Sequence, residues 1–229
     1  MTNNDQFAII VAGGSGSRMG RNIPKQFIEI GGKPILMHTV ELFFEYSASI
    51  QVILVLPPNQ MNEWYELCDK HDFYPAIVTA SGGNTRFQSV QNGLKKIKAK
   101  NGLVAVHDGV RPFVNIETIA HSYHTAAEVG TAVTCVSLKD SIRIVGNNGN
   151  NQAVNRSDYR LIQTPQTFNL EWFRQAYSVE EQPFFTDCAS VLEYSKYPIT
   201  LIEGSYQNIK ITTPEDLIWA EVLLESEVK

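Results

Sequence analysis

Cysteine is scarce and poorly spaced for a structural role. Cys68, Cys135 and Cys188 are odd in number and contain no Cys-x-x-Cys pair, which argues against a disulfide framework and a thiolate zinc site. Positive charge is not in excess either. With 19 Lys+Arg against 24 Asp+Glu the net charge is −5, so a general nucleic-acid or membrane surface is not expected. The amino terminus lacks a basic leader, and its apolar run is too short for a signal peptide or a membrane span. Low-complexity tracts and internal repeats are missing too. Together these absences point to a reduced, cytoplasmic setting. The 229 residues suit one α/β domain able to bury roughly 70 % of its unfolded surface.

What is present begins at residue 7. Phe7–Ala12 (FAIIVA) reads as a buried strand, followed at once by Gly13-Gly14-Ser15-Gly16-Ser17-Arg18-Met19-Gly20. A strand that ends in glycines places bare backbone at the carboxyl edge of a sheet, where α/β proteins bind ligands. Without Cβ atoms, main-chain N–H groups can approach a polyphosphate closely. Arg18 and Lys25 follow on the same excursion. Familiar glycine loops are excluded. No window supplies Gly-x4-Gly-Lys-Ser/Thr, and a dinucleotide fingerprint starting at Gly14 and Gly16 meets Met19 where its third glycine belongs. The acid expected about 20 residues further on, at the end of a second strand, is missing too.

Strand-like and helix-like segments then alternate, the pattern of a Rossmann-like, mostly parallel sheet with helices on both faces. The spacing predicts helices from Pro34 to Tyr46, Gln60–His71, Thr85–Lys98, Asn115–Val129 and Thr186–Ser195. It predicts strands at Gln51–Leu56, Ala76–Thr79, Leu103–His107, Thr131–Val136, Thr200–Glu203 and Asn208–Ile211. Thr213-Pro214-Glu215-Asp216 reads as a helix start. Between Ser137 and Phe168 the pattern changes to alternation around a Gly146–Asn151 turn. This predicts a projecting β-arm at about 137–162. A lone two-stranded ribbon is marginal in water, so the arm is expected to pack on the same arm of a second subunit, although folding back on its own sheet is an alternative.

Five polar clusters fall at strand ends or loop mouths. The glycine loop with Arg18 and Lys25 is the first. Ser81 to Arg86 with Ser89 is a glycine turn feeding a helix amino terminus, suited to an anion, though a plain capped loop explains it equally well. In His107-Asp108-Gly109-Val110-Arg111, Asp108 suits Mg2+ or sugar hydroxyls, whereas a structural Asp–Arg pair and a core histidine are the bland reading. Lys139, Arg143, Arg156 and Arg160 sit on the arm, mostly as edge protection. Thr186-Asp187 and Asn208-Ile209-Lys210 form the fifth, with Lys210 the candidate ligand group.

VAGGSGSRMG, PKQF, GG-x-x-R-x-x-S, HDGVRP, TPQTF, TD-x-x-S-x-x-E and NIKITTPEDL occur in this order over essentially the whole chain. The set resembles the polyol-phosphate cytidylyltransferases, above all those acting on 2-C-methyl-D-erythritol 4-phosphate in the non-mevalonate isoprenoid pathway. The related ribitol-5-phosphate enzymes share most of these motifs, and TD-x-x-S-x-x-E favours methylerythritol modestly. The resemblance implies a single nucleotidyltransferase domain, CTP and a polyol phosphate as substrates, Mg2+ as cofactor, and a homodimer with interlocking arms. It implies that Ala12, Gly13, Gly14, Gly16, Gly82 and Ser89 bind the nucleotide. Arg18 and Lys25 would stabilise the transition state, with Arg156 (from the partner's arm) and Lys210 gripping the acceptor phosphate. Asp108, Arg111, Thr164 and Thr186 would line the polyol site, with Asp108 also a candidate metal ligand. Cys188 departs from the family pattern, where a glutamate is usual, and Gly109-Val110 stands where two alanines are frequent.

Such a reaction needs cations more than a base. An ionised acceptor phosphate must attack another phosphate, so no catalytic histidine is expected. A non-catalytic nucleotide-binding module is the competing class, disfavoured by two separated cationic stations at Lys25 and Lys210. A dehydrogenase is disfavoured by Met19.

Overall fold

The computed structural model describes residues 5–13 and 23–227. Its centre is a seven-stranded sheet. β1 (Gln6–Val11), β4 (Gln51–Leu56), β5 (Ile77–Ser81) and β6 (Leu103–Asp108) are mutually parallel, with β1 between β4 and β6. β10 (Arg160–Asn169) runs antiparallel between β6 and β7 (Thr131–Ser137), and β11 (Leu201–Glu203) lies parallel to β7. The order is β11-β7-β10-β6-β1-β4-β5. The expected α/β class and mostly parallel sheet are therefore what the chain forms.

Side chains alternate across a strand, and here both faces are covered, which explains near-continuous apolar runs such as FAIIV and VILVL. Ala8, Ile10, Val52 and Leu54 face α1 (Ile35–Tyr46), α2 (Met61–Lys70) and α4 (Ile116–Val129), packing on Phe43, Trp64 and Tyr123. Phe7, Ile9, Ile53 and Val55 face the other way. They meet α3 (Arg86–Leu94), α5 (Leu170–Ala176) and α6 (Cys188–Tyr194) through Phe87, Phe173 and Leu192. A smaller cluster of Ile28, Ile30, Ile35, Val110, Phe113 and Ile211 seats α7 (Pro214–Glu227).

Capping residues set several boundaries. Thr85 Oγ1 accepts from the Gln88 amide at 3.1 Å and Asn115 Oδ1 from the Thr118 amide at 2.8 Å, opening α3 and α4. α4 stops at Gly130, whose φ of 88° lies in the left-handed region. A Cβ there would also lie 2.1 Å from the Trp172 ring. At the start of α7 the Asp216 carboxylate accepts from the Thr212 and Thr213 amides at 2.7 and 2.8 Å.

Six expectations change. The stretch from Ser137 to Phe168 is not one ribbon. Only β8 (Arg143–Val145) and β9 (Asn151–Ala153) pair as an exposed arm. Arg160–Asn169 leaves the arm and fills the gap between β6 and β7, where its polar Gln166 and Thr167 are buried. Polar residues in a central strand hid it. α5 was not anticipated; Asn169 opens it, Oδ1 accepting from the Glu171 and Trp172 amides. Residues 208–211 form no strand. α3 ends at Leu94, short of Lys98, and α6 starts at Cys188 rather than Thr186. Pro34 belongs to a two-residue hairpin, β2 (Glu29–Ile30) with β3 (Lys33–Pro34), and α1 starts after it.

Candidate active site

The carboxyl ends of β1, β4 and β6 converge. The Ala12 amide donates to Val55 O at 2.9 Å, extending the ladder by one residue before Gly13 leaves the sheet. Buried Gln26 donates through Nε2 to Ala12 O at 2.9 Å and holds the turn from behind. From β5 a second loop enters. Ser89 Oγ accepts from the Gly83 amide at 3.0 Å and donates to Thr85 O at 2.8 Å. A Cβ on Gly83 would lie 2.3 Å from Gln88 Cβ, so this approach requires glycine.

Between these loops is a cleft of about 300 Å³, lined in part by Ala12, Gly13, Lys25, Gly83 and Ser89. A second compartment of about 270 Å³ adjoins it, lined in part by Arg111, Thr164, Gln166, Thr186 and Asp187. Arg86, Asp108 and Lys210 line both. The two compartments therefore share one wall.

That wall is an ion cluster. Asp108 Oδ2 takes Lys210 Nζ at 3.0 Å and Arg111 Nε at 3.1 Å, while Oδ1 lies 3.8 Å from Arg86 Nη2. Arg111 Nη1 also donates to Asn208 O at 2.7 Å, and the Asp108 amide donates to Thr164 Oγ1 at 3.1 Å. Burial alone would raise the Asp108 carboxyl, but Arg86, Lys210 and Arg111 outweigh it and hold it far below the usual carboxylate range. Three cations against one anion leave the wall positive and able to attract phosphates. His107 takes no part in the wall. Burial pushes it down to about 4, and its Nε2 lies 3.1 Å from Arg111 O.

The structure thus brings Ala12, Gly13, Lys25, Ser89, Asp108, Arg111, Thr164, Thr186 and Lys210 to the two compartments. Gly82 lies directly behind the lining, where a Cβ would come 3.3 Å from Ser89 Oγ. Gly14, Gly16 and Arg18 lie outside the described residues. Arg156 is not brought in. It is exposed on the arm, where its Nη1 donates to Lys139 O, and it lines neither compartment. Sequence reasoning gave no site role to Arg86, Gln166 or Asp187, which line the compartments. Arg86 stood inside a quoted motif without a role. Gln166 is buried with every side-chain hydrogen-bonding atom engaged: Nε2 donates to Asp187 Oδ2 at 2.9 Å, and Oε1 accepts from the Cys188 and Ala189 amides.

Direct Mg2+ ligation by Asp108 has this geometry against it. Both oxygens already face cations, and no group of three or more His, Cys, Asp or Glu able to hold a metal occurs among the described residues.

A phosphate chain held in the first compartment would meet whatever fills the second across cations common to both, which is the layout of a nucleotidyltransferase. Known proteins narrow the class. The family profile described as 2-C-methyl-D-erythritol 4-phosphate cytidylyltransferase matches residues 6–226. A protein of that name from Bacteroides thetaiotaomicron is 49% identical over 219 residues, 96% of this chain and 99% of its own length. One from Bacteroides fragilis is 47% identical over 95% of this chain and 98% of its own. The crystal structure of 4-diphosphocytidyl-2C-methyl-D-erythritol synthase from Anaerococcus prevotii superposes with a TM-score of 0.83 at 29% identity, covering 97% of this chain and 96% of that one. The chain belongs to the 2-C-methyl-D-erythritol 4-phosphate cytidylyltransferase family, and it is an enzyme of that kind.

Proposed function

We propose that this protein transfers the cytidylyl group of CTP to 2-C-methyl-D-erythritol 4-phosphate, giving the CDP-polyol and pyrophosphate for isoprenoid precursor synthesis. The observation that carries the reading is the shared wall: two compartments joined at Arg86, Asp108 and Lys210. An acceptor-phosphate oxygen forms a bond to the α-phosphorus of CTP as the bond from that phosphorus to the pyrophosphate oxygen breaks. No proton need be removed, because the acceptor phosphate is ionised near neutral pH. Full-length relatives that carry the methylerythritol name favour that acceptor over ribitol 5-phosphate.

The roles are assigned by motif, and the place of the described residues in the lining supports them. Ala12, Gly13, Gly14, Gly16, Gly82 and Ser89 hold the nucleotide. Lys25, with Arg18, stabilises the charge that spreads over the transferring and leaving phosphates. Lys210 holds the acceptor phosphate in line, while Asp108, Arg111, Thr164 and Thr186 receive the polyol. Arg156 completes the acceptor site from a second subunit in a homodimer formed through the arm. Support comes from the arm itself, whose Ile144 and Val145 are exposed. Mg2+ enters with CTP as the metal-bound substrate, carried by phosphate oxygens. The enzyme acts in the cytoplasm. Its three cysteines are free and buried, as in a reduced compartment, and no helix among the described residues is long and apolar enough to cross a membrane.

The test offers purified protein CTP and Mg2+ with methylerythritol phosphate or ribitol phosphate in parallel and measures pyrophosphate release. Release that depends on the acceptor, with the higher kcat/KM for methylerythritol phosphate, is expected. Preference for ribitol phosphate overturns the acceptor; no acceptor-dependent release overturns the reaction.

A further inference from the structure

Gln26 lies in the floor of the first compartment with no exposed surface, and its amide joins three segments of chain. It belongs to the short 3-10 turn Lys25–Phe27, next in sequence to the Lys25 that lines the same compartment. Nε2 donates to Ala12 O at 2.9 Å, just past the end of β1. The same nitrogen also donates to Gln60 Oε1, in the turn Pro58–Gln60 that follows β4. Both N–H groups of the amide are therefore in use. Ala12 O can only accept, so the amide cannot be turned over without setting oxygen against oxygen.

This arrangement carries a cost. Gln26 Oε1 is buried and has no hydrogen-bond partner among the described residues. An orphaned acceptor destabilises the fold, and a position selected for stability alone would hold an apolar side chain. What the amide secures is register, because its two bonds fix the Lys25 turn against the ends of β1 and β4. Packing seats the turn as well: Phe27 stacks on Trp64 with ring centroids 6.3 Å apart. Ala12 has its own tie to the sheet, since its amide donates to Val55 O at 2.9 Å. The segment that the Gln26 amide locates is therefore the one carrying Lys25.

We propose that Gln26 is a positioning residue, whose paired donation to Ala12 O and Gln60 Oε1 sets Lys25 in place beside the nucleotide loop that starts at Ala12. The step in which Lys25 acts rests on the cytidylyl-transfer reading; the placing of a cation for a phosphate chain does not. Gln26 has no exposed atom with which to touch a substrate. Its effect on the reaction must run through Lys25, and a misplacement of about 1 Å at a reacting centre can cost about a hundredfold in rate. A residue that merely filled the floor would act on folding and leave the two positions independent.

A double-mutant cycle separates these roles. Gln26→Met keeps the length of the side chain and removes both donors. It should lower kcat about tenfold or more, with thermal unfolding measured alongside. In a Lys25→Ala background the same change should lower kcat less than about twofold, because the cation it places is gone. Inorganic pyrophosphate supplies a second cycle without turnover. Calorimetry should show its binding weakened about fivefold or more by Gln26→Met, and scarcely altered by it once Lys25 is alanine. Wild-type kcat in Gln26→Met overturns the proposal, as does a loss of equal size in both backgrounds, which is the result of a structural role. If the wild type forms no CDP-polyol while the pyrophosphate cycle shows the coupling, the reaction is wrong and the positioning role stands. Should Gln26→Met fail to fold, Gln26→Asn, which keeps an amide too short to reach both acceptors, decides the matter by the same two cycles.

Discussion

Replacing Asp108 with asparagine removes one negative charge from a site where three cations converge, so the consequences can be worked out in sign and size. The carboxylate takes Lys210 at 3.0 Å and Arg111 at 3.1 Å and faces Arg86 at 3.8 Å, with its own side chain 11% exposed. A unit pair at roughly 4 Å and an effective dielectric of about 20 is worth about 4 kcal/mol before desolvation. Breaking a buried pair from one side costs about 3–5 kcal/mol. Lys210 is 41% exposed and is discounted for screening, so the lower end, about 3 kcal/mol, is the expected loss for Asp108→Asn. In a domain of this size that corresponds to a fall in Tm of roughly 6–12 °C. The same substitution leaves three cations without an anion, so inorganic pyrophosphate should bind the variant more tightly than the wild type. It should also restore much of the lost Tm, because ligand binding stabilises by mass action. Thermal unfolding with and without pyrophosphate, together with calorimetry, measures both effects. A variant that melts within about 2 °C of the wild type, or binds pyrophosphate no better, would refute the view that Asp108 organises and partly neutralises the wall.

If the partner's arm supplies Arg156, Arg156→Ala and Lys210→Ala should each be nearly inactive as pure dimers. Mixed and re-equilibrated, they should regain about a quarter of wild-type activity, since half the dimers are hybrid and each hybrid has one intact site; no recovery would place Arg156 elsewhere. His107, buried and held down to about 4, stays neutral in the native state while the unfolded chain takes up a proton below about 6.5. Native stability should therefore fall by about 2 kcal/mol from this group as the pH drops from about 7 to about 5. His107→Gln should flatten that part of the slope in urea titrations. Gly93→Ala would gain helix propensity in α3, but a Cβ there lies 2.8 Å from Ile9 Cγ2 and 2.9 Å from Val55 Cγ2. Overpacking of about 1–3 kcal/mol should outweigh the gain of about 1 kcal/mol, and chemical denaturation should show a less stable protein.

Much of the site was legible before any coordinates because its parts are local. FAIIVA followed by glycines announces a strand and its ligand-facing end, and HDGVRP announces an acid at the end of another. Asp108 proved to be the last residue of β6, one beyond the predicted strand, and there it faces both compartments. Less legible was anything whose meaning depends on a distant neighbour. The run from Arg160 to Asn169 is polar enough to read as an arm, yet it is a central strand because β6 and β7 both offer edges to it. Lys210 looked like a strand residue and sits on a loop. It reaches Asp108 because the segment behind it is pinned by the Ile211 amide donating to Val110 O at 2.9 Å.

Sequence by itself determined the alternation of buried strands and helices, the glycine ends and the identities of most groups that meet a phosphate. Those features are written in patterns of a few residues, within reach of backbone geometry and side-chain period. Only the tertiary structure decided which cations share an anion and which do not. Arg86 and Cys188 lie 102 positions apart and touch, while Asp187, next to Cys188, turns its charge to the α6 cap. Hydrogen-bond partners are chosen by strand order and helix placement, and these arise from burying two apolar sheet faces at once. No short stretch of chain contains that information.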